Sequence, residues 1–179
     1  MSFDWGDYQP YTYPSYLAQN KLPRPEARRI YMELMSIKDE RIRELRNLFR
    51  LHAVELDDSD TSVRALNEWV RCNVEADPSD PTKLAQRWVS VLNDVALYLG
   101  ELMISRNRGL KWEFYVWGKK DIAYQHHVIM GFTNTQNAKY NVDLDRIMLG
   151  LGNRVVHRTL GERDIELFIG ILASAAGYA

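Results

Sequence analysis

Four side chains in this 179-residue sequence have types and spacing that could support acid–base chemistry or ligand binding. The segments around Glu113 and His127 are predicted strands with a turn at 118–121 between them, and such a hairpin can bring His127 opposite Glu113 or Tyr115. A carboxylate and an imidazole in that position can exchange a proton, although cross-strand pairs of this kind also serve structure. With Glu101 and Trp112, they define a candidate pocket.

A second set of polar side chains lies on a predicted helix just before that hairpin. Asp94, Tyr98 and Glu101 are four and three residues apart, so they share one side of the helix. A carboxylate buried on an otherwise apolar helix has a raised pKa, which marks candidate sites but is also produced by structural ion pairs. We expect the structural role, and we include Asp94 and Tyr98 in the alternative pocket.

Motifs typical of catalysis and of cofactor binding are missing from the sequence. His126 and His127 are neighbours on a predicted strand and point to opposite faces, so they cannot easily bind one metal ion. His126 falls on the apolar face and is predicted to be a core histidine. Residues 150–152 (GLG) lack the third glycine of a dinucleotide loop, and no P-loop, CxxC, HExxH or GxSxG motif occurs. We therefore predict no catalytic residue, no metal and no cofactor.

A central helix, predicted over residues 82–105, must position these side chains. Apolar residues recur three and four apart along one of its faces and also occupy the opposite face, so neighbouring elements must cover it nearly all round. Alternating apolar residues then predict strands over 111–117 and 122–132, and two helices follow. The sequence thus predicts a mostly helical α+β fold, with the central buried helix followed by a small antiparallel hairpin or three-stranded sheet.

The N-terminal residues 1–23 are predicted to form an arm that precedes a single α+β domain over residues 24–179. Prolines in this segment argue against a helix or a central strand. Its aromatic residues either cover apolar surface of their own domain or contact a partner, because Tyr and Trp are common at interfaces. These candidate interaction residues are Phe3, Trp5, Tyr8, Tyr11, Tyr13 and Tyr16.

Composition excludes several classes of partner. The formal net charge of -1 gives no overall attraction to nucleic acid or to an anionic membrane, and we expect neither as a partner. Cys72 is the single cysteine, so no disulfide can form within the chain and a reducing compartment is expected. The first residues lack the pattern of a signal peptide, and no apolar run is long enough to span a bilayer. We therefore expect a cytoplasmic protein.

Several short motifs resemble bacterial domains of unknown function, notably from actinobacteria. They are the acidic break at 57–59 (DDS), the sequence YLGE at 98–101 near the end of a helix, and Trp112 on the following strand. The order of a YLGE helix and then a Trp-bearing strand is similar to small bacterial immunity-type proteins. The resemblance spans about residues 40–156. It implies a role in bacterial conflict or immunity, without an established activity.

The sequence therefore predicts a non-enzymatic protein-interaction module of bacterial type. Its expected partner is another protein or a second copy of the chain, because catalytic motifs are missing and the arm is aromatic. The alternative is a small enzyme or ligand-binding protein with its pocket near Glu101, Trp112, Glu113 and His127.

Overall fold

The computed structural model describes residues 3–12 and 19–179. Five α-helices and two small antiparallel sheets account for the regular structure of these residues. The helices are α1 (Arg24–Leu51), α2 (Asp60–Asn73), α3 (Gln86–Arg106), α4 (Leu144–Val156) and α5 (Leu167–Tyr178). The strands are β1 (Ala76–Asp77), β2 (Asp80–Leu84), β3 (Lys111–Phe114) and β4 (His127–Met130). Short 3-10 helices span Gln19–Lys21 and Glu162–Asp164.

Helix α3 is the centre of the core, as its apolar periodicity predicted. Every residue from Val91 to Gly100 is buried, and α1, α4 and α5 all pack against the helix. A helix that is apolar on opposite faces can be stable only when it is surrounded in this way. The predicted α+β class, with a central buried helix and a small antiparallel hairpin after it, is confirmed.

The helix nevertheless begins at Gln86, four residues after the predicted start. The Asp80-Pro81 pair, which resembles a helix start, instead opens β2, and β2 pairs with β1. The Asp80 carboxylate accepts hydrogen bonds from the backbone N–H and the hydroxyl of Thr82, at 3.1 and 2.6 Å. These local bonds favour a turn rather than a first helical turn, so helix formation starts only after Ala85.

The hairpin after α3 is shorter than predicted. Strands β3 and β4 pair antiparallel with Trp112 opposite Ile129, and β4 covers only four residues of the predicted 122–132 strand. Residues 115–126 form a loop instead. A bridge between Ile129 and Val142 adds a third chain segment beside β4.

Helices α4 and α5 complete the packing around α3. Asp143 caps α4, because its carboxylate accepts the backbone N–H of Arg146 at 3.1 Å. Before α5, the buried carboxylate of Asp164 holds the chain by accepting the backbone N–H of Gly161 at 2.9 Å. None of the described helices combines the length and apolar character that crossing a membrane requires.

Candidate functional site

The described aromatic residues of the arm pack on the chain's own domain. The Phe3 ring lies 4.9 Å from the Trp88 ring, measured between centroids, and the Trp5 ring lies 5.1 Å from it. Tyr8 is buried in the main core, whereas Tyr11 is partly buried. Phe3, Trp5 and Tyr8 therefore cover apolar surface of the domain, which was one of the two predicted roles, while the Tyr11 ring lies 6.0 Å from the Arg41 guanidinium. Tyr13 and Tyr16 lie outside the described residues.

A buried polar network fastens this arm to α1 and α3. Arg41 on α1 forms two hydrogen bonds with the carboxylate of Asp94 on α3, from Nε at 3.0 Å and from Nη2 at 2.7 Å. The Tyr8 hydroxyl donates to the same carboxylate at 2.5 Å. The Ser90 hydroxyl lies 2.9 Å from the Tyr8 hydroxyl and accepts the backbone N–H of Tyr11 at 2.7 Å. The network joins three parts of the chain that are distant in sequence.

Burial strongly shifts the ionisation of this network. Asp94 is 1% exposed, and loss of hydration raises the pKa of its carboxyl to about 6, although Arg41 opposes the shift. Burial beside Asp94 also raises the pKa of the Tyr8 hydroxyl, so this group stays a hydrogen-bond donor. Asp94 was a predicted pocket residue with a raised pKa. Its partners identify it as one half of a structural ion pair.

Three members of the alternative pocket do come together. Glu101 accepts a hydrogen bond from the indole N–H of Trp112 at 2.8 Å. Its other carboxylate oxygen forms an ion pair with the ammonium group of Lys38 at 2.6 Å. The Trp112 ring lies 5.8 Å from the His127 ring, measured between centroids. Trp112 can approach α3 this closely because residue 100 is glycine, which leaves a notch for the ring.

The two histidines exchange the positions that the sequence predicted. His127 is 3% exposed, and its Nε2 lies 2.8 Å from a carboxylate oxygen of Asp145 rather than across from Glu113. His126 is partly exposed, and its Nδ1 lies 2.7 Å from Asp143. The prediction was wrong because both faces of β4 are buried, so His127 is enclosed as well, whereas His126 lies in the loop before the strand.

The charge on His127 is stabilised inside the fold. Burial lowers the pKa of its imidazole, but the adjacent Asp145 carboxylate outweighs this effect, so the pKa lies above its ordinary value of 6.5. Asp145 also lies close enough to Asp94 to raise the pKa of that carboxyl. The α4 helix therefore brings its acidic first turn to the interior beside α3 and β4.

The remaining two members of the alternative pocket, Glu113 and Tyr98, have different charged partners. Glu113 forms an ion pair with Lys111 at 2.9 Å. Tyr98 lies under the guanidinium of Arg46, 5.7 Å from its ring centre, and burial raises the pKa of the Tyr98 hydroxyl to about 12. Trp112 and Glu113 line one groove of about 260 Å³, whereas Asp94, Tyr98 and His127 are buried among partners of their own.

An exposed apolar pair is the surface feature that the strand prediction missed. Trp117 is 51% exposed and Ile122 is 55% exposed, both on the 115–126 loop. The loop is held by backbone hydrogen bonds from Tyr115 N–H to His126 at 2.9 Å and from Gln125 N–H to Tyr115 at 2.7 Å. We call this loop with its neighbouring lysines the basic–apolar face; the lysines are Lys119, Lys120 and Lys139.

Two grooves adjoin the basic–apolar face and share Asp121, Tyr140 and Asn141 in their walls. The groove beside Trp117 has a volume of about 490 Å³. The second groove, of about 680 Å³, lies along α4, and we call it the arginine groove after its three guanidinium groups. They belong to Arg146, Arg154 and Arg163.

Comparison with known proteins identified no relative of the chain. Family models, curated proteins and solved structures were all searched, and none of them matches the chain. Within residues 3–12 and 19–179, no three His, Cys, Asp or Glu side chains are grouped as a metal site requires.

Proposed function

We propose that the chain is a non-enzymatic protein-binding module and that the basic–apolar face is its contact surface. The proposed partner is another protein with an acidic contact surface. This assignment moves the predicted interaction from the aromatic arm to the 115–126 loop, because the described arm residues are packed on their own domain.

The observation that carries the proposal is the exposure of Trp117 and Ile122 on a loop that is anchored at both ends. Large apolar side chains at the surface mark contact sites when they are grouped and surrounded by polar residues. Tryptophan is also among the residues that contribute most energy to protein interfaces. The Tyr115 hydroxyl, which donates to Asp121 at 3.0 Å, further fixes the loop between the two apolar side chains.

Charge supports an acidic partner. The lining of the two grooves includes five cationic residues and two carboxylates, although the whole chain has a formal net charge of -1. One of these carboxylates, Asp143, is buried beside His126, so its charge is largely removed from the surface. A local cationic surface on a nearly neutral chain accelerates association with anionic surfaces and selects against cationic ones.

The buried polar residues fit the same proposal. Asp94 is held by Arg41, Glu101 by Lys38 and Trp112, and the imidazole of His127 by Asp145. Each of these groups has a structural partner in the fold, which supports an architectural role. The predicted role in bacterial conflict or immunity stays a prediction.

Site-specific crosslinking in the native host tests the proposed surface. A photo-crosslinking phenylalanine analogue at position 122 is expected to capture one acidic protein. The same analogue at position 32, which is exposed on α1, is the control and should not capture it. The paired change Lys120→Glu and Lys139→Glu should weaken the affinity for that protein by about tenfold or more, because two attractions become repulsions.

A matched charge reversal, Lys21→Glu, controls for the general effect of lost positive charge, since Lys21 is exposed in the 3-10 helix before α1. Equal capture from positions 122 and 32 would contradict the proposal. A captured protein with a basic contact surface, or affinity unchanged by reversal of both lysines, would contradict it as well.

Self-association is the other predicted outcome, and sedimentation of the pure chain distinguishes it. A monomer over a hundredfold range of concentration leaves a different protein as the partner. A dimer that Trp117→Ala dissociates, and Met32→Ala does not, would instead place a second copy on this face and overturn the choice of partner.

A further inference from the structure

The arginine groove has the composition of a ligand site in its own right. Its volume of about 680 Å³ lies within the range of small-molecule sites. Apolar side chains make up part of its wall, and three guanidinium groups occupy another part. The apolar lining residues are Ile122, Ala123, Val142, Ile147 and Leu167.

The sequence of α4 explains why the groove is open. Arg146, Gly150 and Arg154 are four residues apart along the helix, so they follow one another on one face. The glycine between the two arginines has no side chain to fill the space. The two arginine positions are about 12 Å apart along the axis, at 1.5 Å per residue.

Arg154 is fixed in place by the fold. Its Nε and Nη2 donate to one oxygen of the buried Asp164 carboxylate, at 3.1 and 2.8 Å. Its Nη1 is directed over α4, where a Cβ on Gly150 would lie 3.4 Å away. The guanidinium therefore has one edge held and one edge available for a ligand, without the need to order a flexible side chain.

The other two guanidinium groups supply further positive charge. Within the described part of the chain, neither Arg146 nor Arg163 forms a side-chain ion pair or hydrogen bond. Two carboxylates also line the groove. Asp143 is buried against His126, and Asp121 accepts hydrogen bonds from the Tyr115 hydroxyl at 3.0 Å and from the Ala123 N–H at 3.0 Å.

We propose that the arginine groove binds a phosphate monoester carried on a small molecule with an apolar or aromatic body. Guanidinium groups bind phosphate oxygens through paired N–H donors, and the combined charge of three of them favours a doubly charged phosphate monoester over a singly charged carboxylate. The apolar wall then accommodates the body of the ligand. This site does not depend on the protein partner proposed above, because a free ligand fits the groove.

Titration of the purified full chain with phenyl phosphate tests the inference, and calorimetry and backbone amide NMR monitor the binding. Saturable binding is expected, tighter than for inorganic phosphate, with the largest NMR shifts in α4 and residues 140–142. Arg146→Ala and Arg163→Ala should each weaken binding by about tenfold, the effect of one charge-assisted hydrogen bond. Gly150→Leu should abolish binding by filling the groove while leaving its charge unchanged.

Arg108→Ala is the matched control, because Arg108 is exposed in the turn between α3 and β3 and does not line the groove. The variants Arg146→Ala and Arg163→Ala change exposed positions, so they keep the test valid even where Gly150→Leu fails to fold. The inference is overturned if phenyl phosphate does not saturate the chain, or if these two variants bind as the native chain does. An equal loss in Arg108→Ala, or equal affinity for inorganic and phenyl phosphate, also overturns it.

Discussion

Asp94→Asn is expected to lower the free energy of unfolding by about 3–5 kcal/mol at neutral pH, because the N–H group of the Asn amide replaces an oxygen to which Arg41 or Tyr8 donates, and buried donors then lose their acceptor. The carboxylate accepts three hydrogen bonds, two from Arg41 and one from Tyr8. The amide oxygen of Asn can replace only some of them. Hydrogen bonds to charged groups each contribute roughly 1.5–3 kcal/mol, so the loss of two accounts for the expected magnitude.

The double variant Arg41→Met with Asp94→Leu separates the charge effect from the packing effect. Both side chains are nearly inaccessible, Arg41 at 6% and Asp94 at 1% exposure, so each single variant leaves one buried charge unpaired. With neither charge present, the loss should fall to about 2 kcal/mol or less, since apolar replacements of buried ion pairs are often neutral or stabilising. A coupling energy of at least about 2 kcal/mol between the two positions is therefore expected.

Urea unfolding and thermal melting of the native chain, of Arg41→Met, of Asp94→Leu and of the double variant measure this coupling, and Asp94→Asn is measured beside them. For a domain of this size, the single variants should melt roughly 6–20 °C below the native chain. The physical argument fails if Asp94→Asn costs less than about 1 kcal/mol, or if the double variant loses the sum of the two single losses. Either result would show that the pair is not desolvated in solution.

The pH dependence of stability gives a second measurement on the same carboxyl. Its folded pKa of about 6 exceeds the ordinary value of 3.8, so the folded chain binds a proton that the unfolded chain has already released. The contribution of Asp94 to stability is therefore greatest below pH 4 and falls as the pH rises to about 6. Asp94→Asn should remove this slope.

Two further predictions concern the hairpin and α4. Gly100→Ala should cost about 1–3 kcal/mol of unfolding free energy by denaturant titration, because a Cβ there would lie 2.0 Å from the Trp112 ring. Gly170→Ala, with open space around residue 170, is the control, and equal stability of both variants would refute the clash. His127, whose folded pKa is raised, should stabilise the fold fully below about pH 6.5 and lose this contribution as the pH rises through the folded pKa. Imidazole NMR should show that Asp145→Asn lowers this pKa, and a native value below 6.5 would refute the stated cause.

The central helix could be predicted from the sequence because burial on all sides leaves a dense apolar pattern that no strand or loop would need. Its start could not be located, because Asp80-Pro81 suits both a helix start and a turn. Pairing of Ala76 with Leu84 decided between them, and that pairing depends on tertiary structure.

The burial of His126 and His127 could not be predicted from the sequence pattern for a related reason. Residues 122–132 alternate well enough for one long strand, yet Gln125 has a positive φ of 66°, which ends the strand conformation before His127. His126 therefore lies in the loop and is partly exposed. His127 lies on β4, whose two faces are both buried, whereas the alternating pattern predicted only one buried face.

Only one half of the buried ion pair between Arg41 and Asp94 could be predicted from residue types. The raised pKa of Asp94 was expected from its apolar helix, and the structure agrees. Its partner Arg41 is one of several arginines in a charge-rich stretch of α1, a pattern that is typical of a solvent-exposed helix face. Arg41 differs from them only by its position opposite Asp94, 53 residues away. No local pattern encodes a contact of that separation.

The fit of Trp112 into the notch at Gly100 sets how the hairpin is mounted on the protein. The indole N–H of Trp112 donates to Glu101, so β3 is fixed against the central helix α3. The loop that carries Trp117 extends from the end of β3. The loop is thus presented at a set angle before any partner arrives. Under the proposed function, binding would avoid the entropic cost of ordering a segment, and its rate should depend on diffusion and ionic strength rather than on a slow rearrangement.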